Sequence, residues 1–550
     1  MPSPDQPQLL AVALDCARRG DFKGMSEICR QILQGDPEQP DALHCMGLLQ
    51  RQTGDTEIAV RTHERAVRGR PDNAEYRNAL GLAYRAAGRI ADAIDAYEAA
   101  LSIDAEFVDA YLNLGVIYLE RGDHRNAIAR FRAAVDRRPS DPPFHVALGK
   151  ALSAAGDSAA AMESYRRALS IAPNTGPAWS GIGELYLAAG DERAAMTALA
   201  DGITNDPRHE GSYLRLAPLL LALGQSRDGV DCLRRGVEQN PGSALLRVAL
   251  ARVMLRAGLW DEAWVHYERR LALPPYVTEM RRFVQPLWDG GDPAGMTICV
   301  QCEPSAGESI ALLRYLEPLA ERGARIVLRC PPPLRQLLSS LKVPATVRST
   351  EDALPSFDQR TWLGSLPLLL KQPDPGALAP RPTGFGVDNA ATRWAKRCAE
   401  IQRPIIGLHW RGTSAGAVDD PHRLLMTVAQ SPGSLIALQD RTVGPEIERA
   451  GLVERVIQVG AELRHGGDIV ADVAAAAAQC DLVIAVDSAI AQIAATLGCR
   501  TIVLIRGNED FWWPAEGCTV PWIGDVHLHR RRHRETDDSY LERLQPLLAR

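Results

Sequence analysis

Apolar residues in the first half of the chain recur with the 3.6-residue period of amphipathic helices, whereas in the second half they gather into short runs separated by helical stretches. Over residues 6–275 the helical pattern itself repeats. Glycine stands at 20, 54, 88, 122, 156, 190, 224 and 258, a constant step of 34. Seven residues before each is a small one: Ala13, Gly47, Gly81, Gly115, Gly149, Gly183, Ala217 and Ala251. Proline follows at 37, 71, 139, 173, 207, 241 and 275, with Ala105 the single exception. Bulky residues fill positions between, such as Tyr84 with Tyr97, Tyr118 with Phe131, and Leu152 with Tyr165. The small residue lets two helices approach, the glycine turns the chain, and the proline cannot continue the second helix. The pattern predicts helical hairpins, each too small to bury its own apolar face and therefore obliged to stack on its neighbours.

This 34-residue unit resembles the tetratricopeptide repeat over residues 6–275, half of the chain. The resemblance implies a superhelix whose first helices line a concave groove for extended peptides. The groove positions are Asn78, Leu82, Asp109, Leu112, Val116, Val146, Lys150, Glu184, Leu214, Val248 and Arg252. That mixture suits a peptide with apolar and polar anchors; a spacer or dimerising role is the other reading. Some protein O-glycosyltransferases carry an asparagine ladder along such a groove. Here only Asn113 occupies that repeat position, which argues against sequence-independent gripping of a peptide backbone.

After Pro274-Pro275 the period stops, and a linker through Asp289-Gly290-Gly291-Asp292-Pro293 leads to alternating strands and helices. Strands are expected at 297–302, 325–330, 405–409, 434–439, 456–459, 482–486 and 501–505, with helices at 307–323, from 331, and at 388–401. A less regular Pro- and Gly-rich stretch, roughly 372–386, separates two such runs. The βαβ order implies parallel sheets. The expected fold is an α-solenoid (1–275), a linker (276–294), and an α/β pair of Rossmann-like lobes (295–387 and 388–550). Ligands of such sheets sit at strand carboxyl ends and helix N-termini. Those ends are Glu303 to Glu308, Trp410-Arg411-Gly412-Thr413, Asp440-Arg441, Asp487-Ser488-Ala489 and Arg506-Gly507-Asn508, converging on an inter-lobe cleft where Arg411 and Arg506 suit a diphosphate, although each reads equally as a surface ion-pair residue.

Three segments, in order over about 250 residues, look like the heptosyltransferase-like glycosyltransferases, family 9. They are Gly307-Glu-Ser-Ile310 with Arg314-Tyr315, Gly407-Leu-His-Trp-Arg-Gly412, and Cys480 to Cys499 followed by Thr501 to Ile505. The resemblance implies a GT-B fold, a nucleotide-sugar bound mainly to the C-terminal lobe, and inverting transfer with no metal and no cofactor. No two aspartates are separated by one residue, so the Asp-x-Asp clamp of the other major transferase fold is absent. By resemblance Glu308 is the general base, where the family has Asp. The donor is met by Arg411, Asp487, Ser488, the amides of Ala489 and Ile490, Gln492 in place of the family's His, and Arg506. Asp487 and Ser488 are also ordinary helix caps.

Trp512, Trp513 and Trp522 follow the last expected strand, most simply as packing at the lobe's edge, and the basic run 527–534 reads as a solvated surface. Residues 537–548 have helical spacing that would let them cross back onto the first lobe. A net charge of −6 speaks against nucleic acid, no run of about 18 apolar residues spans a membrane, and no basic leader precedes the first helix. Eleven scattered cysteines fit reduced thiols, so a cytoplasmic location is expected. Cys299 and Cys302 fall on opposite faces of a strand, which disfavours a metal pair. Repeat-containing flagellin glycosyltransferases have similar architecture. Two readings follow: transfer of a sugar from a nucleotide-sugar to Ser or Thr of a protein held by the repeats, with flagellin the acceptor that the analogy implies, or an adaptor with a degenerate transferase domain.

Overall fold

The computed structural model describes residues 6–19, 21–378, 388–412, 420–462, 469–505, 513–514, 517–520, 523–532 and 535–548. Contacts divide the chain into two units, Met1–Ser212 and Tyr213–Arg550, with the boundary inside the helix Glu210–Ala222.

Among its described residues the first unit is six helical hairpins, running from Gln6–Arg18 with Phe22–Gly35 to Gly176–Ala188 with Glu192–Asn205. The repeat glycines do two different jobs. Gly54, Gly88, Gly122, Gly156 and Gly190 turn the chain at φ of 90°, 77°, 73°, 85° and 75°, a region costly for any residue with a Cβ. Gly81, Gly115 and Gly149 are contact points: an added Cβ would stand 2.5, 2.5 and 2.7 Å from the rings of Tyr97, Phe131 and Tyr165. Gly47 meets His63 in the same way at 2.6 Å. Gly20 lies outside the described residues.

The second unit opens with the rest of Glu210–Ala222, its partner Ser226–Gln239, and the hairpin α1 (Ala244–Arg256) and α2 (Trp260–Tyr267). Expected as a linker, residues 276–294 are instead anchored. They form α3 (Tyr276–Met280), Glu279 pairs with Arg329, and the buried Trp288 donates its N–H to the Arg360 carbonyl at 2.8 Å.

The first sheet contains β1 (Thr297–Gln301), β2 (Arg325–Cys330), β3 (Ala345–Ser349) and β4 (Gln359–Trp362), all parallel in the order β3-β2-β1-β4. The helix expected over 307–323 is broken into α4 (Ala306–Leu312), a turn at Leu313–Tyr315 and a helix at Leu316–Glu321. Pro318 explains the break: it has no N–H for Arg314 and its ring crowds that carbonyl.

α5 (Asp388–Ala399) leads into the second sheet. Its strands are β5 (Ile405–His409), β6 (Ser434–Ala437), β7 (Val456–Gln458), β8 (Leu482–Val486), β9 (Thr501–Ile505) and β10 (Val526–Arg530), parallel in the order β10-β9-β8-β5-β6-β7. β6 and β7 are shorter than expected. One face packs against α5 and α9 (Ala489–Leu497), the other against α6 (Pro421–Val428). Two expectations are corrected here. The basic run is not wholly a solvated surface, because its first residues form β10, with Leu528 and His529 buried. The C-terminal helices α10 (Asp537–Glu542) and α11 (Gln545–Leu548) do not cross to the first lobe; Tyr540, Leu541 and Leu544 complete the α6 side of the second sheet.

Candidate functional site

A parallel sheet opens a crevice where its strand order reverses. In the second sheet the chain builds β5, β6 and β7 towards one edge, then β8, β9 and β10 towards the other, so the crevice lies between β5 and β8. His409 ends β5 there, level with Ala485 of β8. Ser488 caps α9, its Oγ accepting the Ala491 N–H at 3.4 Å and lying 3.2 Å from His409 Nδ1. Burial lowers His409 to about 4 against a weaker opposing pull from Asp440, so the ring is neutral at pH 7. Asp487 accepts the Trp513 indole N–H at 2.7 Å, and that ring is fully buried in the core. Trp513 is thus packing; Trp512 and Trp522 lie outside the described residues.

α9 turns Ala491, Ala494 and Ala495 into the second sheet's core. Its opening approaches α4: a Cβ on Gly307 would lie 3.8 Å from the N and Cα of Ala489. Gln492, one turn further, shares the Ala489 face. It is 2% exposed, and neither atom of its carboxamide has a hydrogen-bond partner among the described residues. The N–H groups of Ala489 and Ile490 open the helix, where no carbonyl of α9 itself can receive them.

The first sheet reverses between β1 and β4. Its crevice is filled by Glu303, fully buried, which accepts from Arg270 at 3.0 Å, Tyr276 Oη at 2.7 Å and the Gly364 N–H at 2.7 Å. Arg270, also buried, further donates to Glu268 at 2.8 Å and Ser365 at 3.2 Å. Burial alone would lower the Arg270 guanidinium; Glu303, Tyr267 and Glu268 hold it well above its ordinary value. This network fastens the last repeat hairpin to the α/β part, helped by the Trp264 indole N–H donating to the Pro373 carbonyl at 2.8 Å.

Glu308 stands in the first turn of α4, 5% exposed, with its own N–H capped by Ser305 Oγ at 3.4 Å. Tyr267 Oη donates to Glu308 Oε2 at 3.3 Å, and Arg252 Nη1 donates to Oε1 at 3.4 Å. Arg252 projects from α1, so a residue expected in the peptide groove touches the residue expected to be the base.

Arg411 is held by other partners. Its Nε and Nη1 donate to Glu446 Oε1 at 3.1 Å and Thr442 Oγ1 at 2.9 Å, while Trp410 Nε1 donates to Glu446 Oε2 at 2.6 Å. Arg506 lies outside the described residues. Of the groove positions in the first unit, Asp109, Lys150 and Glu184 are exposed and Leu82, Leu112 and Val116 half-buried. Asn78 and Val146 are buried, and Asn113 Nδ2 donates to Asn78 Oδ1 at 2.8 Å, so Asn78 ties two repeats together. In the second unit Leu214, Val248 and Arg252 are half-buried.

Sequence reasoning assigned no role to Tyr267, Arg270, Tyr276 or His409. A signal existed for one of them: Glu303 directly follows an apolar strand, and a carboxylate buried there requires a cationic partner. Arg270, among the apolar residues that end the repeats, is that partner.

A family model described as tetratricopeptide repeat matches residues 46–106, 79–142, 112–177 and 214–276, and a second such model matches 152–217. Residues 46–276 are tetratricopeptide repeats. Solved repeat structures are similar to the chain at low scores. A tetratricopeptide repeat protein from Parabacteroides merdae is 16% identical over 45% of this chain and 98% of its own, TM-score 0.39. Cut9–Hcn1 of the APC/C hetero-tetramer is 18% identical over 50% and 55%, TM-score 0.33. MamA is 23% identical over 31% and 92%, TM-score 0.28. No curated protein matches the chain. Tetratricopeptide repeats point to a role in protein–protein interaction or scaffolding. Among the described residues no helix is long and apolar enough to cross a membrane.

Proposed function

We propose that the chain is a glycosyltransferase of GT-B type that moves a sugar from a nucleotide-sugar to a Ser or Thr hydroxyl of a protein engaged by its repeats. The observation that carries this reading is the contact of Arg252, on a repeat helix, with Glu308, at the helix start that faces the opening of α9. In the reaction Glu308 takes the acceptor hydroxyl proton, the oxygen attacks the anomeric carbon, and the bond from that carbon to the diphosphate oxygen breaks. The charge left on the diphosphate is met by the N–H groups opening α9, beside Ser488 and neutral His409. Tyr267 orients the Glu308 carboxylate, and Gln492 offers unpaired amide groups to the donor. No cofactor and no metal enter this scheme. Fusing repeats to the transferase site raises the local concentration of acceptor; flagellin is the first acceptor to try.

Arg411 supports a second reading, an adaptor whose transferase domain is degenerate, because Glu446 and Thr442 already occupy its guanidinium. Calorimetry with UDP, GDP, ADP and CMP separates the two. Selective binding weakened by Ser488→Ala supports the transferase, and no binding across the panel supports the adaptor.

A further inference from the structure

Each pair of successive second helices in the repeats leaves a groove, floored by the first helix between them. Two of these grooves are bridged by an ion pair. Arg130 on His124–Arg137 reaches Glu98 on Ile90–Ile103 at 3.1 Å, and Arg234 on Ser226–Gln239 reaches Glu262 on α2 at 2.8 Å. The groove between Ser158–Ile171 and Glu192–Asn205 has no such bridge, and the repeat register gives the reason. Arg166 stands two repeats after Glu98 and two before Arg234, but Ala198 and Ala194 stand where Arg130 and Glu262 do. Arg166 is exposed and meets no carboxylate among the described residues. In place of the bridge is a cavity of about 400 Å³. Its floor is Trp179, Ile182 and Tyr186 of Gly176–Ala188, at i, i+3 and i+7, a strip about 10 Å long. Trp179 is held in place by its indole N–H, which donates to the Pro173 carbonyl at 2.9 Å. Asp201 lines the far wall.

We infer that this groove docks a segment of a partner protein that supplies the missing carboxylate: an Asp or Glu beside an apolar side chain, the acid pairing with Arg166 and the apolar group lying on Trp179 and Tyr186. Alanine at both bridge positions removes the chain's own partner for Arg166 and uncovers the aromatic floor, so charge and shape ask for the same ligand. Asp201 on the facing helix repels a second acid, so the segment carries a single acid and not an acidic run. Arg132, one repeat before Arg166, also meets no carboxylate among the described residues, but its groove has no aromatic seat. Leu152 stands there in place of Tyr186, and His145, in place of Trp179, is buried with Nε2 at 2.8 Å from the Pro139 carbonyl. The docking groove faces the second helices, whereas the peptide groove expected from the resemblance is lined by other residues of the first helices. It stands whether or not the α/β part transfers a sugar.

The test is an array of nine-residue peptides of known, randomised sequence, each acidic peptide placed beside its amide counterpart, probed with the full chain and three variants that circular dichroism reports as folded. Peptides with one acid next to an apolar residue are expected to be captured about fivefold more strongly than their amide counterparts. Ala194→Glu returns an acid to the place that Glu262 holds two repeats on; it should pair with Arg166, keep or raise the thermal midpoint, and abolish the preference. Arg166→Glu should reverse it in favour of Lys peptides. Ala160→Glu makes the same charge change beside Arg132 and should leave the preference intact. Equal capture of acidic peptides and their amide counterparts by the unaltered chain overturns the inference, as does a preference that survives Ala194→Glu or Arg166→Glu. A preference lost equally in Ala160→Glu overturns it too, since net charge and not this groove would then govern capture.

Discussion

Replacing Arg270 by Met removes the cation from a carboxylate that has no exposure to water. Glu303 would keep Tyr276 Oη and the Gly364 N–H, both at 2.7 Å, but lose its ion pair at 3.0 Å. Breaking one side of such a buried pair costs about 3–5 kcal/mol, because the remaining charge stays out of water. The double variant Arg270→Met with Glu303→Leu leaves no orphaned charge and should recover about half of that loss or more, giving a large coupling term. Arg270 fastens the last repeat hairpin, so the loss should appear as weakened hydrogen-exchange protection in α2 and around Ser365 before the second sheet loosens. The assay is urea unfolding of the four chains of the cycle together with exchange mass spectrometry. A single variant costing under about 1 kcal/mol, or a double variant costing the sum of the two singles, would refute the buried-pair reasoning.

His63 has a folded value of about 3, lowered by burial and then by His44, so the unfolded chain binds the extra proton between that value and the ordinary 6.5. Its contribution is complete above 6.5 and is lost as pH falls, roughly 2 kcal/mol by pH 5. His63→Phe, matching Phe131 in its own repeat, should flatten the acid sensitivity of protection in the first two hairpins; an unchanged pH profile would exclude His63 as the cause. Gly115→Leu forces a side chain into the Phe131 ring, 2.5 Å from the first added carbon, and should cost about 3 kcal/mol in thermal or urea unfolding. Neutral behaviour there would mean the hairpin separates easily. Ser488→Ala removes the α9 cap and should cost about 1 kcal/mol of stability along with the loss of nucleotide affinity measured by calorimetry.

The repeats were legible because each hairpin needs a glycine that turns at positive φ and a small residue where an aromatic ring crosses, and both needs recur every 34 residues. The strands β1, β2, β5, β8 and β9 were legible as apolar runs buried on both faces. β3, β4 and β10 were not: β3 is a half-buried edge strand, β4 has only four residues, and β10 alternates Val526 and Leu528 with histidines. Residues 276–294 read as a linker because their anchors, Glu279 with Arg329 and Trp288 with Arg360, come from elsewhere in the chain. The same limit hid much of the candidate site. Ser488 and Glu308 announce themselves as polar residues opening helices after strands. Arg270 with Glu303, Tyr267 with Glu308 and His409 with Ser488 are pairs 33, 41 and 79 residues apart, which no local pattern joins.

The role we propose for the α/β part is sugar transfer to a protein with Glu308 as base. Its most direct test is intact mass spectrometry of flagellin incubated with nucleotide-sugars and either the unaltered chain or Glu308→Gln. The expected result is a mass gain of one sugar with one class of donor, abolished in Glu308→Gln while nucleotide binding persists. An equal mass gain with Glu308→Gln would contradict the role of Glu308, and no gain with any donor, together with no nucleotide affinity, would contradict the transferase itself.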